Sequence, residues 1–161
     1  MYKKIFVLMA MVLFAGCGGA SNIQSLVFNF NDGPIAPQYY SEGDLEILPD
    51  HEMRSLNLSY KKVYPYRTED TEGEDFDADG IIGGEFYDRY EQVIMALEKG
   101  YLMTGGEQGC AGGDNLNLAL IYNNGKEYKS DLYLCGELKE EVMKVRDFYI
   151  DVVKLLVEDT Y

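Results

Sequence analysis

Two periodicities divide this chain into strands and helices. From Ser25 to Asn31, Leu26, Phe28 and Phe30 fall on one side, the period of two expected of a half-buried strand. Asp44–Leu48 and Met53–Lys61 are further strands, joined by Pro49-Asp50-His51-Glu52. In the second of these, Leu56, Leu58 and Tyr60 alternate with Asn57, Ser59 and Lys61. Leu116, Leu118, Leu120 and Tyr122 alternate, as do Tyr128, Ser130, Leu132 and Leu134, with Asn124-Gly125 between the two runs. Asn-Gly between alternating runs is a strong hairpin signal, because both residues accept the positive φ of a type I′ turn. A two-residue turn there predicts Asp114 opposite Cys135. Glu85–Lys99 has helical spacing instead, with Phe86, Tyr90, Val93 and Leu97 on one side and Gly100 just past the end, where a C-terminal cap belongs. In Glu137–Glu158, Leu138, Val142, Val145, Tyr149, Val152 and Leu156 form a second apolar stripe. The acidic stretch Glu69–Asp79 reads as a loop. The sum is an α+β fold, an antiparallel sheet of about five strands with two helices packed on one face.

The start of the chain follows neither pattern. Tyr2-Lys3-Lys4 precedes an apolar run from Ile5 to Ala15. A run that short cannot cross a hydrocarbon core of about 30 Å, and a charged start ahead of it reads as a secretory signal. The segment Leu13-Phe14-Ala15-Gly16-Cys17 resembles the lipobox of bacterial lipoproteins, with Phe14 where the family usually has Leu. The resemblance implies that residues 1–16 are removed as a signal peptide and that Cys17 carries lipid, palmitate included. Residues 17–24 then form the lipidated start and tether, and residues 25–161 a single α+β domain. Gly18, in place of the Asp that holds enteric lipoproteins at the inner membrane, implies the outer membrane. The runs Gly-Pro-Ile-Ala-Pro-Gln-Tyr-Tyr at 33–40 and Gly-Cys-Ala-Gly-Gly at 109–113, with Cys135-Gly136 before the last helix, resemble a group of small exported bacterial proteins, which implies no particular activity.

Composition narrows the function classes. The chain has 161 residues, 14 basic and 28 acidic side chains and a net charge of −14. Loss of Lys3 and Lys4 with the leader would lower the basic count from 14 to 12 against the same 28 acids. At 47% hydrophobic and 26% charged this is a globular composition. A nucleic-acid partner is disfavoured, because neutralising phosphates takes clustered Lys and Arg. The charge suits a basic protein or a cation. There are 3 cysteines; with Cys17 assigned to lipid, Cys110 and Cys135 remain as a pair. An oxidising envelope favours a structural disulfide between them, and neither a Cys-x-x-Cys spacing nor a neighbouring His supports a redox or zinc site.

Three further patterns bear on chemistry. Asp75-Phe76-Asp77-Ala78-Asp79-Gly80-Ile81-Ile82 resembles the first half of EF-hand-type calcium loops, in which Asp75, Asp77 and Asp79 would supply oxygens and Gly80 the turn. The twelfth position holds Phe86 where a bidentate Glu belongs, and a solvated acidic loop is the competing reading. The only histidine, His51, sits in a polar turn, and no nucleophile elbow, phosphate loop, dinucleotide fingerprint or zinc spacing accompanies it. Of 14 tyrosines, Tyr39, Tyr40, Tyr60, Tyr64 and Tyr66 gather around the N-terminal strands, where they suit either a recognition face or ordinary sheet surface. These features lead to the expectation of a non-enzymatic, lipid-anchored cell-envelope protein that binds another envelope component. The alternatives are an inhibitor of a basic secreted enzyme such as a lysozyme, or a calcium-binding module.

Overall fold

The computed structural model describes residues 22–33, 36, 39–67, 69, 73–102 and 113–158. The expected leader, Cys17 and Cys110 lie outside these residues. Among these residues six antiparallel strands form one sheet: β1 Ile23–Asn31, β2 Glu42–Asp50, β3 Ser55–Val63, β4 Phe76–Gly83, β5 Asp114–Tyr122 and β6 Glu127–Leu134. Their order across the sheet is β4-β3-β2-β1-β5-β6. The helices α1 Glu85–Glu98 and α2 Glu140–Glu158 follow β4 and β6. The first four strands run as a meander. α1 then carries the chain back from the β4 edge, so that β5 pairs with β1.

Alternation decides which side the helices cover. Leu26, Phe28, Leu45, Ile47, Leu56, Leu58, Tyr60, Leu116, Leu118, Leu120 and Leu132 are all buried. They meet Tyr87, Tyr90, Val93, Ile94 and Leu97 of α1 and Val142, Val145, Phe148, Tyr149, Val152 and Leu156 of α2 in one core. Burying each such side chain contributes about 1.5–3 kcal/mol. Phe28 and Phe30 lie against the Tyr149 ring, with centroids 5.6 and 5.8 Å apart. Among the described residues the opposite face of the sheet carries no helix; it is mainly polar, with Leu48 and Ile81 exposed among the charged side chains. The fold is therefore α+β with both helices on one side, as the periodicities indicate.

Three details depart from the sequence reading. The tether ends earlier than expected: β1 begins at Ile23, which is 6% exposed and pairs with Tyr122. The expected acidic loop is half strand, because β4 begins at Phe76 and pairs with β3 from Lys62↔Phe76 to Ser55↔Gly83. Phe76, Ala78, Gly80 and Ile82 are partly buried, whereas Asp77, Asp79 and Ile81 are exposed. The acids are the outward half of an alternation, and this strand makes six where about five are expected.

The third departure is the hairpin register. Ile121 pairs with Glu127 and Asp114 with Leu134, so Cys135 is not opposite Asp114. Tyr122 and Lys126 flank a three-residue loop, closed by bonds from Tyr122 N–H to Lys126 O (3.0 Å) and Gly125 N–H to Tyr122 O (2.9 Å). Gly125 alone has positive φ, 80°, as in a type I turn followed by a left-handed glycine. Directly opposed residues share a face. Leu116 and Leu132 can therefore both face the core as partners only if the loop has an odd number of residues.

Candidate functional site

The expected calcium ligands stand in extended chain. Asp77 lies opposite Lys61 and Asp79 opposite Ser59. The Asp75 carboxylate is already engaged: it accepts from the Tyr64 backbone N–H at 3.0 Å and from Arg67 at 3.2 Å. A calcium loop needs its chain wrapped so that successive ligands converge, whereas strand geometry spreads them along a ladder. Among the described residues, no three His, Cys, Asp or Glu side chains gather as a metal site.

The tyrosines separate into surface and core. Tyr40, just ahead of β2, and Tyr66, just after β3, are brought together with ring centroids 5.5 Å apart, because β2 and β3 are paired at Glu42↔Val63. Tyr39 and Tyr66 are exposed. Tyr64 lies within 5.2 Å of the Lys62 ammonium and packs on Gly73, where an added Cβ would come 2.0 Å from its ring. Burial and the neighbouring Glu42 raise the Tyr40 hydroxyl above its ordinary pKa. Tyr60 does not belong to this surface. It is 4% exposed and shares a hydrogen bond with the Tyr149 hydroxyl. Gly43 leaves room for that pair, since a Cβ there would meet the two hydroxyls at 3.1 and 3.2 Å.

Cys135 is disulfide-bonded. Gly113, at the entry to β5, lies directly against it: a Cβ on Gly113 would fall 2.5 Å from the Cys135 Cβ.

His51 occupies the β2–β3 turn, which the Asp50 carboxylate organises by accepting from the N–H groups of Glu52 and Met53, both at 3.0 Å. The turn docks on α1. His51 Nδ1 is 2.6 Å from the Tyr87 hydroxyl, and Arg54 pairs with Asp88 at 2.5 Å while lying 4.6 Å from the Tyr87 ring centre.

Motif reading does not single out the helix-free side of the sheet, where acidic side chains outnumber basic ones. Glu42, Asp44 and Glu46 of β2, Asp77 and Asp79 of β4, and Glu127 and Asp131 of β6 are exposed there, against Lys61 and Lys129. The register aligns Asp77, Lys61, Asp44, Asn29, Asn117 and Asp131 in one row across all six strands. Asn29 donates to Asp44 at 2.6 Å. The signal was present in the sequence: Glu42, Asp44 and Glu46 alternate with Gly43, Leu45 and Ile47.

No family model, no curated protein and no solved structure matches the chain. Among the described residues no helix is long and apolar enough to cross a membrane.

Proposed function

We propose that this protein is a non-enzymatic binding module of the bacterial cell envelope. Lipid on Cys17 anchors it, at the outer membrane, and its bare acidic sheet face docks a basic protein. One observation carries the reading: the helix-free face sets seven carboxylates against two lysines, and β-strands hold them in fixed rows. A rigid surface with a clear excess of one sign steers an oppositely charged partner and speeds its capture. An anchor adds to this by confining the module to the layer where the partner arrives. Inhibition of a basic secreted enzyme such as a lysozyme is one form of the same function. Asp77 and Asp79 belong to this face, so calcium is read here as a competitor for their carboxylates.

The test uses lysozyme as a basic probe and the triple substitution Asp44→Lys, Glu46→Lys and Asp79→Lys. All three side chains are exposed, so the fold is expected to survive, which circular dichroism checks. Native protein should bind the probe at about 20 mM salt and at least tenfold more weakly at about 200 mM, as screening requires. The triple variant should bind at neither. Binding that ignores both salt and the triple substitution would remove the reading. Mass spectrometry of Cys17 in protein from its own host tests the anchor separately, and an unmodified thiol there would refute it.

A further inference from the structure

A cavity of about 310 Å³ opens between the β2–β3 turn and α1. Ile23, Ile94 and Met95 form its apolar wall, and His51, Tyr90, Glu91 and Glu98 supply the polar groups. Two of those groups are unusual. Among the described residues, the Tyr90 hydroxyl and His51 Nε2 are both buried without a hydrogen-bond partner, and Tyr90 as a whole is only 1% exposed. An unpaired buried hydroxyl costs about 1–3 kcal/mol, and phenylalanine would fill the same space at no such cost. Native interiors retain few of these groups, and each calls for an explanation.

The surroundings hold the His51 ring in place. Tyr87 engages Nδ1 and meets the ring edge-on, at 86°, which directs Nε2 away from Tyr87. The turn that carries His51 is strained, because Arg54 has φ 48°, a region that residues with a Cβ rarely occupy. Ion pairs to Asp88 at 2.5 Å and Glu91 at 3.5 Å pin Arg54 there. Backbone held off its preferred conformation by several contacts is characteristic of ligand sites.

The chemistry of the wall selects the ligand. Among the described residues no Lys or Arg lines the cavity, so an anion would find no cation in that lining. Glu91 and Glu98 line the cavity and are exposed; Arg54 already offsets part of the Glu91 charge, so a protonated amine would act chiefly on Glu98, which is also fixed by a hydrogen bond from Tyr122. Deeper in, Tyr90 Oη and His51 Nε2 require an oxygen that accepts or donates. We propose that this cavity binds a small amine carrying a hydroxyl group, its ammonium chiefly toward Glu98 and its oxygen toward Tyr90 and His51. The inference is independent of the acidic sheet face, which lies on the other side of the sheet.

Because the chain has 1 histidine, the His51 ring gives an isolated NMR reporter. The probes are glucosamine and ethanolamine, with N-acetylglucosamine and ethylene glycol as their uncharged counterparts. The two amines should shift the His51 ring signals in a saturable way and the uncharged pair should not. Tyr90→Phe should raise the melting temperature of the free protein and weaken amine binding about tenfold. A hydroxyl with a purely structural role would instead leave the variant less stable and amine binding unchanged. Glu98→Gln should weaken the amines again, with no effect on the melting of Tyr90→Phe protein beyond that seen in native protein. Failure of both amines to move the His51 signals, or equal binding by native and Tyr90→Phe protein, would overturn the proposal.

Discussion

Leu156 of α2 lies over Gly80 of β4, so close that a methyl group on Gly80 would come within 2.6 Å of Leu156 Cδ2. Gly80 has no positive φ. Its lack of a side chain, rather than its backbone freedom, is what the fold uses: the last turns of α2 reach the edge strand because that strand is small there. Leu156 is a flexible side chain and can turn away from one carbon. Gly80→Ala should therefore be nearly neutral, the contact being offset by the gain from a less flexible unfolded chain. Gly80→Val should cost about 1–3 kcal/mol, as overpacking of a filled interior does. Urea denaturation of the two variants checks this, and equal stability of Gly80→Val and native protein would contradict the packing role.

Gly33 presents the opposite case. A Cβ at Gly33 would lie 1.9 Å from the Gly113 carbonyl oxygen, and a backbone oxygen cannot rotate aside. Gly33→Ala should cost about 3 kcal/mol or more. For a chain of this length that is a fall of about 6–12 °C in melting temperature. A thermal melt within a degree or two of the native value would show that this close approach is absent in solution.

The same residues explain what was legible in the sequence. Leu26, Phe28, Leu56, Leu58 and the Val142–Leu156 stripe announced their elements because alternation and helical spacing are direct consequences of one-sided burial. β4 was hidden by its own chemistry. Its inward positions include Ala78 and Gly80, which carry little hydrophobic signal, while Asp77 and Asp79 imitate a metal loop. The hairpin misled differently: Asn-Gly favours a two-residue turn, yet the match of even-numbered apolar positions on both strands required an odd loop, and burial outweighed turn preference. The polar row on the open face needed strand order, which no local pattern contains. Nor could sequence join His51 to Tyr87 or set it beside one cavity with Tyr90, since that placement depends on how α1 packs against the β2–β3 turn.

Cys135 is bonded, and Gly113 against it makes Cys110, three residues before Gly113, the partner we propose. Closing a loop of about 25 residues restricts the unfolded chain by about 3 kcal/mol. Cys110→Ser, Cys135→Ser and the double substitution should then destabilise by similar amounts, each near that figure. Additive losses in the double variant would contradict the pairing, as would a Cys110→Ser protein that melts with native protein. Reducing agent should lower the melting temperature of native protein and leave the three variants unmoved.

Asp114 gives the fold a dependence on pH whose sign can be worked out. Burial raises its carboxyl above the ordinary range; the Gly33 N–H that donates to it pulls the other way, and Asp32 nearby adds to the rise. In the native state this group therefore binds a proton more tightly than in the unfolded chain. Its contribution is most favourable below the unfolded value of about 3.9, and is lost as pH rises through the folded value. At neutral pH the ionised side chain is a burden that an amide would not carry, because an Asn oxygen can still accept from Gly33 without a charge to desolvate. Asp114→Asn should accordingly be more stable than native protein at about pH 7, with the difference shrinking as pH falls toward about 4. Denaturation midpoints of the two proteins across that interval provide the measurement. A variant less stable at neutral pH, or a gap that widens in acid, would mean that the negative charge at Asp114 supports the fold instead of straining it.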